Sequence, residues 1–146
     1  MPLAAALASI AMPLAASDAV ESAKEFEVEI PVGVESARSV FLVLNDVQLP
    51  KMASVVLRAR SVEVVAGTET ELPLGSIGLL AESRNAEGLA IHAVVRIEVT
   101  KRLKRWREDH PRISMLRIRV VPFAGAAPMP QLEWSAASAR LSLSGS

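Results

Sequence analysis

Apolar side chains recur in this chain with a period of two. Glu25-Phe26-Glu27-Val28-Glu29-Ile30 alternates carboxylates with apolar groups, and Leu116-Arg117-Ile118-Arg119-Val120 alternates the same way with arginines. Successive side chains of a strand point to opposite faces, so each segment reads as a strand with one dry and one wet face. Valine dominates the apolar set, and β-branched residues favour strands. Such a chain must bury one face of each sheet, and the economical solution is a second sheet.

The other segments fit that frame. Ser39 to Leu44 is a continuous apolar run ending at Asn45-Asp46, which reads as a strand buried on both faces. Ser54 to Arg60 reads as another, with Ser61 to Val65 continuing it after a bend. Ala66 to Glu69 reads as a turn or loop. Gly75 and Gly78 stand where bulky side chains are expected, which marks close backbone approach or a bulge. Glu82 to Gly88 is a polar loop, and Ala90 to Thr100 is a long, mostly apolar strand. Lys101 to His110 changes character: Leu103 and Trp106 lie three apart on one helical face, Thr100 is placed to cap, and Pro111 follows the end. Met115 to Phe123 is the clearest alternating strand. Ala124 to Gln131 carries Gly125, Pro128 and Pro130 and reads as a loop, Leu132 to Trp134 as the start of a short strand, and Ala139 to Ser144 as an edge strand.

The expectation is an all-β fold: an antiparallel β-sandwich, or flattened barrel, of about seven to eight strands, with one short helix near residues 101–110. Residues 23–146 are read as the sandwich domain. Residues 1–22 are read as an apolar, alanine-rich arm. Its small residues Ala15, Ala16 and Ser17 resemble a signal cleavage site, but Pro2 and Pro13 interrupt it and no Lys or Arg opens it. It is short for a membrane span. The cytoplasm is favoured, with secretion as the alternative if the arm is cleaved.

At 146 residues the chain is long enough to bury a core without covalent staples. It has no cysteine, which excludes disulfides and thiolate chemistry. Sixteen Lys and Arg balance sixteen Asp and Glu, so net charge points to neither nucleic acid nor membrane. Aromatics make up 3% of residues, too few for a base-stacking platform. The candidate metal ligands are His92, in a strand, and His110, at a helix end. A metal site normally needs three or four ligands, so no metal or other cofactor is expected. At a helix C-terminus a protonated His110 is favoured by the helix dipole. No nucleophile elbow and no phosphate loop occurs, and the glutamates of residues 25–29 read as a solvated strand face, so the chain is read as non-enzymatic. Lys101, Arg102, Lys104, Arg105, Arg107 and Arg112 form a local basic cluster, read as the wet side of the short helix, the alternative being a contact for phosphate or an acidic partner surface. Met52, Met129, Leu132 and Trp134 put large adaptable side chains on or beside turns. They are candidates for partner contact, the alternative being that they pack on their own sandwich.

Three segments carry a family resemblance. They are Gly75-Ser76-Ile77-Gly78-Leu79-Leu80, then Arg96-Ile97-Glu98-Val99-Thr100 running into Lys101 to Trp106, then Leu116 to Pro122, with Arg38 to Val47 upstream. Together they resemble the C-terminal β-sandwich domain of tyrosinases and polyphenol oxidases, with Glu98-Val99-Thr100 where that family has an Asp-Val-Thr-like motif. The resemblance spans roughly residues 20 to 145. It implies a module that covers, stabilises or assists a type-3 copper oxidase, as the family's C-terminal domain or a separate caddie protein does. The copper-binding helical domain has no counterpart here, so no copper ligand can be carried over. The expected partner is therefore a dicopper oxidase. A self-associating homo-oligomer, a small-molecule-binding sandwich with a pocket near His92, and a fragment of a longer oxidase are the alternatives.

Overall fold

The computed structural model describes residues 21–49, 54–79 and 93–145. The elements are β1 (Lys24–Glu29), β2 (Ser39–Val47), β3 (Val55–Val65), β4 (Thr68–Leu79), β5 (Ala93–Glu98), α1 (Thr100–Asp109), β6 (Met115–Ala124), β7 (Ala127–Pro128) and β8 (Ser138–Ser144). Two antiparallel sheets pack together. One is a five-stranded sheet in the order β1-β6-β3-β4, with β7 paired to β6; the other is three-stranded, β5-β2-β8. Among the described residues, the expected all-β sandwich is observed, with eight strands and one short helix.

The core is the sum of the inward faces. Val28 of β1, Val40, Leu42 and Leu44 of β2, Leu57 and Ala59 of β3, Ile97 of β5 and Leu116, Ile118 and Val120 of β6 are all buried in one cluster. Leu103 and Trp106, the two apolar residues of α1, close one end of it. β2 is the central strand of its sheet: its inward Val40, Leu42 and Leu44 are buried, whereas on its outward face Val43 is buried and Ser39, Phe41 and Asn45 are half-buried. The expected burial on both faces therefore holds fully only at Leu42 to Leu44.

Close approach at Gly75 is borne out. A Cβ there would lie 2.2 Å from the Glu98 carbonyl oxygen, so β4 can lean on the end of β5 only without a side chain. Beside it, the β3–β4 register shifts between Ala59 and Arg60, which is the bend expected near Ser61. Ala66 and Gly67 both have positive φ, 53° and 81°, and join β3 to β4 as a two-residue hairpin turn.

Some expectations are corrected. β4 begins at Thr68, so Glu69 belongs to a strand. Its polar, outward side chains hid the strand from an apolar period count. Leu132 to Trp134 do not form a strand: among the described residues, the pairing beside them is an isolated bridge between Gln48 and Ser135. Ala127–Pro128 pairs with β6 inside the segment read as a loop. Thr100 is not the helix cap either. Val99 holds that position without a side-chain cap. The Thr100 hydroxyl instead accepts from the Val40 backbone N–H at 2.9 Å and lies 3.1 Å from Glu98 Oε2, tying the start of α1 to β2.

Candidate interaction surface

The candidate partner contacts separate on inspection. Leu132 and Trp134 are buried, and Met129 packs against the same core. The Trp134 indole N–H donates to the Ser22 carbonyl at 2.7 Å, and the Ser22 hydroxyl donates to the Met129 carbonyl at 2.7 Å. These contacts fasten the 129–134 segment to the start of the domain. An open groove of about 300 Å³ remains over Glu21, Lys24, Pro130, Gln131 and Trp134. Met52 and His92 lie outside the described residues, as do the arm at 1–16 and the loop at 82–88.

His110 has both ring nitrogens engaged. Nδ1 is 2.8 Å from the Trp106 carbonyl oxygen and Nε2 is 2.8 Å from Glu63 Oε2, while the ring stacks on Trp106 at 4.4 Å. This side chain therefore has no free nitrogen for a metal. Among the described residues, no group of three or more His, Cys, Asp or Glu is placed to hold one.

The outer face of the five-stranded sheet carries an ion network that the period-two pattern hides. Arg119 is only 5% exposed although it points away from the core. Its Nε donates to Glu25 Oε2 at 2.8 Å, and its guanidinium also meets Glu69 at 3.1 Å and Glu71. Arg117 reaches Glu25 at 3.0 Å and Arg60 reaches Glu71 at 3.1 Å. Burial pushes the Glu25 carboxyl upward, but its bonds to Arg119 and Arg117 outweigh that and leave it below the usual carboxylate range. The same carboxylates hold Arg119 charged against its own burial. Glu25 is thus a structural ion-pair partner rather than only a solvated strand residue. Alongside, Arg58 and Arg60 lie over the Phe123 ring, at 4.0 and 5.5 Å from its centroid.

The basic cluster divides as well. Lys104 donates to the Ala37 carbonyl. Arg107 binds Glu35 at 3.0 Å and the carbonyls of His110 and Ile113. These two cations fasten α1 to the sandwich. Lys101, Arg102 and Arg105 are exposed and make no ion pair or side-chain hydrogen bond with described residues.

Two further arginines, on the three-stranded sheet, make no ion pair with described residues. Val43, on the outer side of the central strand β2, has Arg96 of β5 as its register partner on one side and Arg140 of β8 on the other. Both arginines are exposed. The chain's zero net charge therefore conceals a separation. Segments 36–49, 93–113 and 136–145, which build the three-stranded sheet and α1, hold nine Lys and Arg against four Asp and Glu. Segments 21–35, 54–79 and 114–135, which build the five-stranded sheet, hold five against nine. Sequence reasoning found the helix cations. It missed Arg96 and Arg140, because two isolated arginines 44 positions apart give no sign of a shared row until strand register is known.

Compared with known proteins, the chain matches no family model, and no curated protein matches it significantly.

Proposed function

We propose that this chain is a non-catalytic β-sandwich module that works by docking the β5-β2-β8 face and the outer side of α1 onto an acidic protein surface. The observation that supports this is the charge separation: Arg96 and Arg140 on the three-stranded sheet and Lys101, Arg102 and Arg105 on α1 make no ion pair with described residues. Unpaired cations keep their full field for a partner, whereas Arg60, Arg117 and Arg119 of the other sheet are already paired with glutamates. The resemblance in Gly75 to Leu80, Arg96 to Trp106 and Leu116 to Pro122 makes a type-3 copper oxidase the first partner to test, with shielding, stabilisation or assistance of that enzyme as the role.

The test is a binding titration against the type-3 copper oxidase of the same source, with oxidase activity and bound copper followed in parallel. Binding that weakens with salt, and falls at least tenfold in the Arg96→Glu/Arg140→Glu double variant, is the expected result. Equal binding by wild type and double variant would overturn the docking face. No binding at micromolar concentration would overturn the choice of partner.

Self-association is the second reading, favoured by one observation: the five-stranded side of a second copy carries the complementary acidic excess. In that case mass by light scattering rises with protein concentration at low salt, and the double variant stays monomeric. A wild-type chain that is monomeric throughout removes this reading.

A further inference from the structure

His110 joins two parts of the fold that are 47 residues apart in sequence. It ends α1, and its ring reaches Glu63 near the tip of the β3–β4 hairpin. Both of its ring contacts, the Trp106 carbonyl and the Glu63 carboxylate, are acceptors without a proton to give. Satisfying both at 2.8 Å requires an N–H on each nitrogen, which only the imidazolium has. A neutral ring has one N–H and must abandon one of the two. The stack on Trp106, 9° from parallel, holds the ring in the plane that serves both acceptors.

We propose that His110 is a proton-operated latch that fastens the C-terminal end of α1 to the β3–β4 hairpin and lets the hairpin open when the ring loses its proton. The hairpin is the part of its sheet suited to such motion. Pairing of β3 with β6 ends at Ser61, so residues 62–65 and 68–71 are held laterally only by each other and by what packs on them. Val64 and Val65 at its end are more than half exposed. Beyond Ser61 the hairpin is tied to β6 by the ion pairs of Glu69 and Glu71 with Arg119, and to α1 by the His110 latch.

The surrounding charges favour the protonated state. The hydrogen bond to the Trp106 carbonyl raises the His110 pKa most, burial opposes it, and the bond and charge of Glu63 and the charge of Asp109 raise it further. Of the other charged groups nearby, Arg107 on α1 turns to Glu35 and to backbone carbonyls, and Arg112 follows in the exposed turn. From β4, Glu69 and Glu71 are engaged with Arg119. The neutral hydroxyl of Thr70, opposite Glu63, donates to the Glu63 carbonyl. With the folded pKa raised, the latch's stabilisation is complete below the ordinary imidazole range and is lost as pH rises through the folded value.

The experiment is ring titration of His110 by NMR, together with amide hydrogen exchange of residues 62–72 across the same pH range after correction for intrinsic rates. The expected result is a midpoint above the ordinary imidazole value. Over that window the opening equilibrium of the hairpin should rise about tenfold for each pH unit by which the midpoint is raised, with the β6 amides unaffected. Glu63→Gln should lower the midpoint and shrink the step, and His110→Asn, which keeps a residue suited to a helix end, should abolish it. A His110 midpoint at or below the ordinary value would overturn the proposal. So would hairpin exchange without a step at the His110 midpoint, or a step that survives in His110→Asn. The latch does not depend on the docking proposal, since every readout uses the isolated chain.

Discussion

Gly75 faces the Glu98 carbonyl oxygen so closely that a Cβ on it would stand 2.2 Å away. This is where β4, at the edge of the large sheet, leans on the end of β5. The opposing atom is backbone, so it cannot swing aside as a side-chain tip would. Gly75→Ala is expected to destabilise the chain by about 1–3 kcal/mol, the usual cost of forcing extra atoms into a packed site. Gly78, three residues further along the strand and on its other face, has nothing within 4 Å of an added Cβ. Gly78→Ala should leave the urea midpoint nearly unchanged, and the pair of midpoints distinguishes steric approach from a general glycine effect.

Arg119 is the charge on which the outer layer of the large sheet depends. Arg119→Met keeps the length of the side chain and strands Glu25, Glu69 and Glu71 together. Since those carboxylates are each about a quarter to a third exposed, the expected loss at neutral pH is about 1–3 kcal/mol rather than the full cost of a buried unpaired charge. The pH dependence has a definite sign. Glu25 has a lowered folded pKa, so its contribution is present above the usual carboxylate range and lost as pH falls through the folded value. The gap between wild type and variant should therefore narrow in acid. A gap that is constant with pH in chemical denaturation would assign the loss to packing.

The Thr100 hydroxyl is the acceptor for the Val40 N–H. Thr100→Val preserves shape and removes that acceptor, leaving a buried strand residue with an unpaired donor. A loss of about 1–2 kcal/mol is expected, with Thr100→Ser restoring most of it. Equal stability of the valine and serine variants would show that the hydroxyl contributes nothing.

Ser61 presents the reverse case. It is 1% exposed, and its hydroxyl has no partner among the described residues. Ser61→Ala removes an unsatisfied polar atom from between Leu72 and Ile118, its register partners. The variant should be more stable by up to about 1 kcal/mol, read as a higher melting temperature.

Trp134 should behave as a structural residue with one polar duty. Trp134→Phe loses the bond to the Ser22 carbonyl and should cost about 1 kcal/mol. Protection of the first described residues against exchange should fall with it, because that bond fastens them to the sandwich.

The chain order alone carried the sandwich. The alternation in Lys24–Glu29 and Met115–Ala124, the apolar run of residues 39–44 and the Leu103/Trp106 pair are local patterns, and each describes which side of one element stays dry. Gly75 could be flagged for the same reason, since a missing side chain is visible in one dimension. The candidate surface and the latch were not legible. Arg96 and Arg140 become neighbours only through their shared pairing with Val43, and Glu63 meets His110 only when α1 is laid against the hairpin. Arg119 reads in sequence as one more wet-face residue, yet three glutamates from two other strands enclose it. Periodicity encodes burial, which depends on a residue's own element. Charge pairing depends on strand register and on how elements pack across the fold, and it is fixed only when the chain closes on itself.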